Sequence, residues 1–170
     1  MVVATVMSNL GLEERLKAEG IELVRTKVGD RYVAAEIERR KCCLGGEQSG
    51  HIIFRECSTT GDGLITTLQL LSILCRTGEP LAELASQFSR YPQVFHNIRV
   101  RDVELFDRHE RLREAIISFQ AQLDGVGRLL VRPSGTQSMI RVMVEGKDEA
   151  LIRRIGAELS GLIERELNSL

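Results

Sequence analysis

Residues 127–146 read GRLLVRPSGTQSMIRVMVEG, and this stretch predicts two strands, Arg128–Arg132 and Met139–Val144, joined by a tight loop. Apolar residues run up to Pro133-Ser134-Gly135, which punctuates them as a turn, and resume at Met139. So short a connection makes the strands antiparallel, because parallel neighbours need a crossover of about a dozen residues or more. Ile140, Val142 and Val144 alternate along the second strand, so they share one face and Arg141 takes the opposite, free one. Outward from the hairpin, Leu112, Ile116, Phe119 and Leu123 recur at helical spacing before it, and Leu151, Ile155, Leu159 and Leu162 after it. Val94, Ile98 and Val100 alternate as a further strand, with His96 on their face as a core residue. The order strand-helix-strand-strand-helix predicts an α+β unit over residues 91–170, with helices on one face of an antiparallel sheet.

Before Arg90-Tyr91-Pro92 the pattern is different. Short apolar runs at Val2–Val6, Ile21–Val24 and Ile52–Phe54 alternate with helix-length segments, which predicts α/β layers on a mainly parallel sheet over residues 1–90. Leu12 and Leu16 mark a crossover helix that Gly20 ends; Val33 and Ile37 support a helix over Arg31–Lys41, which feeds into a glycine-rich turn at Gly45-Gly46. Leu64, Leu68, Leu71 and Cys75, widened by Leu70 and Leu74, predict a helix buried on most sides. Pro80 is expected to open a second helix marked by Leu81, Leu84 and Phe88.

The 170 residues are 43% apolar and 28% charged, an ordinary globular composition. Twenty-four acids against 23 bases leave a net charge of −1, so no global field draws the chain to nucleic acid or acidic lipid, and any anion must be held locally. Met1–Met7 lacks a basic leader and reads as a strand; Leu64–Cys75 is too polar and too short to span a membrane. A soluble, cytoplasmic protein is expected. Cys42 and Cys43 are adjacent while Cys57 and Cys75 are far apart, which excludes a CxxC zinc pair and predicts buried thiols.

Four segments hold residue types suited to chemistry. In the hairpin loop, Arg132 and Arg141 can converge from antiparallel strands, Ser134 and Thr136 offer hydroxyls, and Gly135 lets the backbone bend so that its amides point inward. Guanidinium forks match phosphate geometry. A polar turn with two solvated arginines accounts for the pentapeptide equally well. Between a predicted helix and strand, Gly45–His51 places Glu47, Ser49 and His51 on a bent loop, where a carboxylate can accept from vicinal sugar hydroxyls and His51 can titrate near neutrality. An ordinary glycine-rich connection is the alternative. Lys27, Asp30 and Arg31 follow a predicted parallel strand, the end of open α/β sheets at which ligands bind. Thr60 or Asp62 is expected to cap the helix that follows Gly63. His109, among Arg108, Glu110 and Arg111, reads as a solvated helix start.

Taken together, Thr26–Tyr32, Gly45–Phe54, Thr60–Gly63 and Arg132–Thr136 with Ile140–Gly146 strongly resemble the α-D-phosphohexomutase family, and within it the bacterial enzymes that act on glucosamine phosphates. The resemblance runs nearly end to end. It implies a partial three-layer α/β/α third domain over residues 1–90 and the phosphate-binding fourth domain over 91–170. Glu47 and Ser49, with His51 beside them and Lys27, Asp30 and Arg31 nearby, match the sugar-recognition region; Arg132, Ser134, Gly135, Thr136 and Arg141 match the phosphate loop. The implied reaction is the interconversion of glucosamine 6-phosphate and glucosamine 1-phosphate for amino-sugar and cell-wall precursor synthesis. A phosphoserine in the first domain and a magnesium ion in the second perform it. This chain has neither the Ser-His-Asn phosphorylation motif nor the Asp-Gly-Asp-Gly-Asp metal loop. It is therefore expected to bind no metal, to supply no bond-breaking residue, and to need an N-terminal catalytic half as partner beside the phosphorylated amino sugar. Gln137 and Ser138 also replace the family's usual Glu-Pro. The competing reading is a non-catalytic phosphosugar-binding or regulatory module. Nucleic-acid binding through Arg99, Arg101, Arg128 and Arg132 lacks both a basic balance and interleaved aromatics.

Overall fold

The computed structural model describes residues 1–135 and 137–168, which fall into two compact units, residues 1–90 and the described residues from 91 onward. Thr136, assigned to the phosphate loop by resemblance, lies outside the described residues.

The first unit runs β1 (Val2–Thr5), α1 (Leu10–Ala18), β2 (Leu23–Thr26), α2 (Asp30–Arg40), β3 (Leu44–Gly46), β4 (Ile52–Phe54), α3 (Gly63–Thr77) and α4 (Leu81–Ala85). The strand order is β2-β1-β3-β4, with β1 parallel to both neighbours and β4 antiparallel to β3. Val3, Val33, Ile37, Cys42 and Ile53 form its core, which seats α2 on the sheet. Asn9 caps α1 by accepting from the Gly11 amide at 3.0 Å. At the other end Gly20 takes φ +70°, while the amides of Gly20 and Ile21 donate to Lys17 and Leu16 carbonyls. This C-terminal motif uses Ile21, so β2 begins at Leu23 rather than Ile21.

Four expectations for this unit need correction, the buried thiols among them. Gly45-Gly46 is not a turn but the end of β3, threaded between β1 and α2. A Cβ at Gly45 would lie 2.7 Å from the Val3 carbonyl oxygen and within 2.9 Å of Ile37 and Val33 side chains, so the strand fits there only without one. α3 is not buried on most sides: Leu64, Leu68 and Leu71 are 79%, 67% and 49% exposed, because the helix lies against edge strand β4 rather than over the sheet. Pro80 occupies the N-cap of a helix of five residues that stops short of Phe88. Asp62 does cap α3, accepting from the Ile65 amide at 2.9 Å. Of the cysteines only Cys42 is buried. Cys43 precedes β3 with the opposite parity, Cys57 sits in the turn after β4, and Cys75 lies on the open side of α3.

On α2, Glu36 accepts from Arg39 at 2.5 Å and from Arg40 at 2.8 Å. Those hydrogen bonds, Arg39's first, lower its pKa from 4.5 to about 2. Since the folded value is depressed, the pairing supports the fold above the unfolded pKa and is lost as pH falls through the folded one. A carboxyl-carbon NMR titration is expected to find a Glu36 midpoint near 2; a midpoint near 4.5 would show that the arginines do not hold it.

The second unit runs β5 (Gln93–Arg99), α5 (Glu104–Arg108), α6 (Glu110–Gln122), β6 (Gly127–Pro133), β7 (Met139–Gly146) and α7 (Glu149–Asn168). All pairing is antiparallel in the order β5-β7-β6. Ile152, Ile155, Leu159, Ile163 and Leu167 put one apolar stripe of α7 onto Ile140, Val142 and Val144 of the central strand. Gly156 lets α7 approach β5, since a Cβ there would sit 2.8 Å from His96 Nε2. His96 thus faces the helices as expected, half-buried at the sheet edge. His109 is not solvated: it precedes α6 with Nδ1 buried and without a partner, and its Nε2 lies 3.3 Å from a Glu166 oxygen. Nor is the face opposite the helices free, for Met143 (3% exposed) and Glu145 (0%) are buried on it.

Candidate functional site

The hairpin between β6 and β7 closes where the Ser134 amide donates to the Met139 carbonyl at 2.8 Å. Register then places Arg132 directly opposite Arg141, and Arg141 directly opposite Asn97 on β5. Three polar side chains consequently stand in one row across the sheet, on the face away from the helices. Two like charges facing each other across strands destabilise a sheet by a few tenths to about 1 kcal/mol. Burial, and then the charge of Arg141, lower the pKa of Arg132. That shift has no titration consequence near neutrality; it records a guanidinium that an added anion would favour. Arg141 Nε is buried and has no hydrogen-bond partner among the described residues. Gly135 does not have the positive φ that would require a glycine, and a Cβ there would meet no protein atom within 4 Å.

In the first unit the carboxyl ends of β2 and β3 bring two predicted segments together. The Glu47 amide donates to the His51 carbonyl and the Gly50 amide to that of Glu47, both at 3.0 Å, making a tight turn with Gly50 at φ +97°. Glu47 Oε1 accepts from the Gly29 amide at 2.9 Å, which ties this turn to the loop holding Lys27, Asp30 and Arg31. Ser49 Oγ lies 3.0 Å from His51 Nδ1, with both residues exposed. Asp30 Oδ1 is occupied by the Arg31 amide. Arg31 lies over the Tyr32 ring, 4.7 Å from its centre, and donates to its hydroxyl at 2.9 Å. A carboxylate with one oxygen engaged and the other available, beside a serine and exposed cations, suits a polyhydroxylated anion. An adjoining hollow of about 370 Å³ is mostly apolar, with Val2, Leu12, Leu16, Leu44 and Phe88 in its lining, and Glu47 and Gln48 of this turn line it too. Among the described residues no three His, Cys, Asp or Glu side chains are grouped to hold a metal ion.

The sequence alone does not bring Asn97, Gln93 and Glu145 into rows across this sheet, and Arg128 enters its reading only as a candidate nucleic-acid contact. Asn97 and Gln93 are placed by the register of β5, a strand distant in sequence from the hairpin, which a hydropathy pattern does not fix, whereas Arg128 and Glu145 face each other through the register of the hairpin itself.

The family model described as phosphoglucomutase/phosphomannomutase, alpha/beta/alpha domain III, matches residues 1–91, and that for the C-terminal domain of the same family matches residues 96–162. A phosphoglucosamine mutase of Desulforudis audaxviator is 54% identical over 158 residues, covering 93% of this chain and 35% of the relative. One of Caldanaerobacter subterraneus is 53% identical over 170 residues, covering 98% and 38%. The chain thus spans little more than a third of the length of these curated relatives. A solved structure of Aspergillus fumigatus N-acetylphosphoglucosamine mutase superposes with a TM-score of 0.85 at 19% identity, over 98% of this chain and 38% of that one, which establishes a shared fold. Another structure of that fungal enzyme, with a TM-score of 0.80 at 19% identity over 95% of this chain and 41% of that one, is a complex with GlcNAc-6P and magnesium.

Proposed function

The chain belongs to the phosphoglucomutase/phosphomannomutase family, and from that premise we propose that it is the part of a phosphoglucosamine mutase that recognises the sugar and anchors its phosphate. The observation that carries the proposal is the pair Arg132 and Arg141, set opposite each other in register with no carboxylate between them among the described residues. Such a pair is unfavourable without an anion and matched by a dianion. Ser134 adds a hydroxyl, and Gly135 gives a phosphoryl oxygen close access to the backbone. Glu47 and Ser49 accept from and donate to sugar hydroxyls, His51 orients the Ser49 hydroxyl, and Lys27, Asp30 and Arg31 border that loop.

The two contacts do different work. A mutase that moves a phosphoryl group between two ends of a sugar must accept its substrate in two orientations. One anchor then grips whichever phosphate is not reacting, and the other reads hydroxyls common to both poses. Phosphoryl transfer itself, with its phosphoserine and magnesium, falls to an N-terminal half in the cytoplasm. Alone, the chain is inactive on glucosamine 6-phosphate.

A backbone NMR titration tests this reading. Inorganic phosphate is expected to shift Ser134 and Gly135, and glucosamine 6-phosphate to shift these and Glu47–Ser49. No response of the hairpin to either ligand overturns it.

A further inference from the structure

Two rows of side chains cross the non-helical face of the second unit's sheet, four residues apart along each strand. The first is Gln93, Glu145 and Arg128, one from each strand in register. It is complete: Gln93 Nε2 donates to one carboxylate oxygen at 2.8 Å and Arg128 Nε to the other at 2.6 Å. The second is Asn97, Arg141 and Arg132. It has the amide and the guanidinium of the first row in the same strands, but a cation where the first has its anion.

Arg141 Nε has an N–H that is buried and unpartnered, so a ligand arriving from solvent does not reach it in this arrangement. An acceptor from the protein reaches it without first exposing it. Of its two neighbours in the row, Arg132 accepts no hydrogen bond and Asn97 has an amide oxygen. In the flanking rows Phe95, Leu130 and Arg99 have no side-chain oxygen, and Ser134, beside Met139 at the hairpin end, has the hydroxyl already proposed to meet the ligand. Asn97 is exposed on an edge strand and free to choose its rotamer.

We propose that Asn97 is a positioning residue of the phosphate site: its amide oxygen closes on Arg141 Nε when an anion binds, fixing the guanidinium with its outer edge toward the ligand, while its amide N–H groups face the anion as Gln93's face Glu145. This rests on the hairpin being a phosphate site and adds a residue from a third strand to it.

The test is a titration of the full chain and its N97A and N97D variants with inorganic phosphate, at two salt concentrations, with arginine Nε–H resonances followed by ¹H–¹⁵N NMR. Loss of one such bond is expected to weaken phosphate about 5- to 10-fold in N97A. N97D is expected to bind more weakly still, with part of its deficit relieved by salt, because the new carboxylate occupies Arg141 and repels the ligand. In the parent chain phosphate shifts the Arg141 Nε–H signal, and in N97A that shift is lost. As an exposed position, Asn97 leaves the melting temperature within a degree or two of the parent's. If the parent binds phosphate and both variants bind equally well, the role of Asn97 is refuted and the phosphate site stands. If the parent does not bind, both fall.

Discussion

Arg141→Gln is expected to weaken binding of inorganic phosphate by the full chain roughly 10- to 100-fold, while the ligand-free variant melts slightly higher than the parent. The first effect follows from losing a charge-assisted contact, worth about 1.5–3 kcal/mol. The second follows from the row itself. Arg141 faces Arg132 across paired strands, and its Nε is buried without a partner. Glutamine keeps the stem as far as Cδ and removes the charge that faces Arg132, so the hairpin gains a few tenths to about 1 kcal/mol. For a unit of this size that is a rise of roughly 2–6 °C. Phosphate should then reverse the order: it raises the parent's melting temperature through mass action and barely moves the variant's. Thermal melts with and without phosphate read all four values. Loss of stability in the ligand-free variant, or an equal response of both proteins to phosphate, would show that the arginines are structural. A site that destabilises its own fold until a ligand arrives marks binding more sharply than the Arg-Pro-Ser-Gly motif alone.

The sequence made much of this architecture readable, and the exceptions have physical causes. Local signals sufficed where one element decides its own fate. Asp62 caps α3, Gly20 ends α1, and the apolar periods of α6 and α7 place them on the sheet. β3 was hidden because Gly45 is selected by the narrow gap between Val3 and α2, and its neighbour Gly46 by Ile52 and the His51 carbonyl. A glycine pair chosen by long-range packing looks the same in sequence as one chosen by a turn. α3 misled in the opposite direction: its leucines state what the helix can bury, and the described residues do not cover them. The residues of the hairpin and of the Glu47 turn were legible as candidates, but the bond from the Gly29 amide to Glu47 joins positions 18 apart and comes only from the parallel arrangement of β2 and β3 with β1. The least legible feature was Glu145. Alternation put it on the face of Arg141, where a carboxylate would ordinarily be solvated, yet it is fully buried.

That burial makes Glu145→Ala the substitution with the largest expected cost in the second unit. Glu145 receives hydrogen bonds from Arg128 and Gln93, and through them it joins all three strands in one row. Removing one member of a buried ion pair typically costs about 3–5 kcal/mol, because the other charge keeps its desolvation penalty without the attraction that offset it. The Arg128 side chain is 20% exposed and can turn partly toward water, which places the expectation near the lower end, at about 3 kcal/mol. Amide exchange reads this within the unit concerned: the slowest amides of β7, at Val142–Val144, should exchange roughly 100-fold faster. Glu145→Leu combined with Arg128→Met separates pairing from packing, since exchanging both charges for apolar groups of similar size is often neutral. Recovery of slow exchange in the double variant would assign the cost to the unpaired charge, and its absence to the hydrogen bonds that span the strands. An increase of less than fivefold in the Glu145→Ala protein would remove the pair from any structural role. The consequence reaches the hairpin, because the same pairing that sets Arg128 against Glu145 sets Arg132 against Arg141 four residues further along both strands. A β6 freed to slip by one residue would turn Arg132 to the helical face and leave the Asn97–Arg141 row with a single guanidinium.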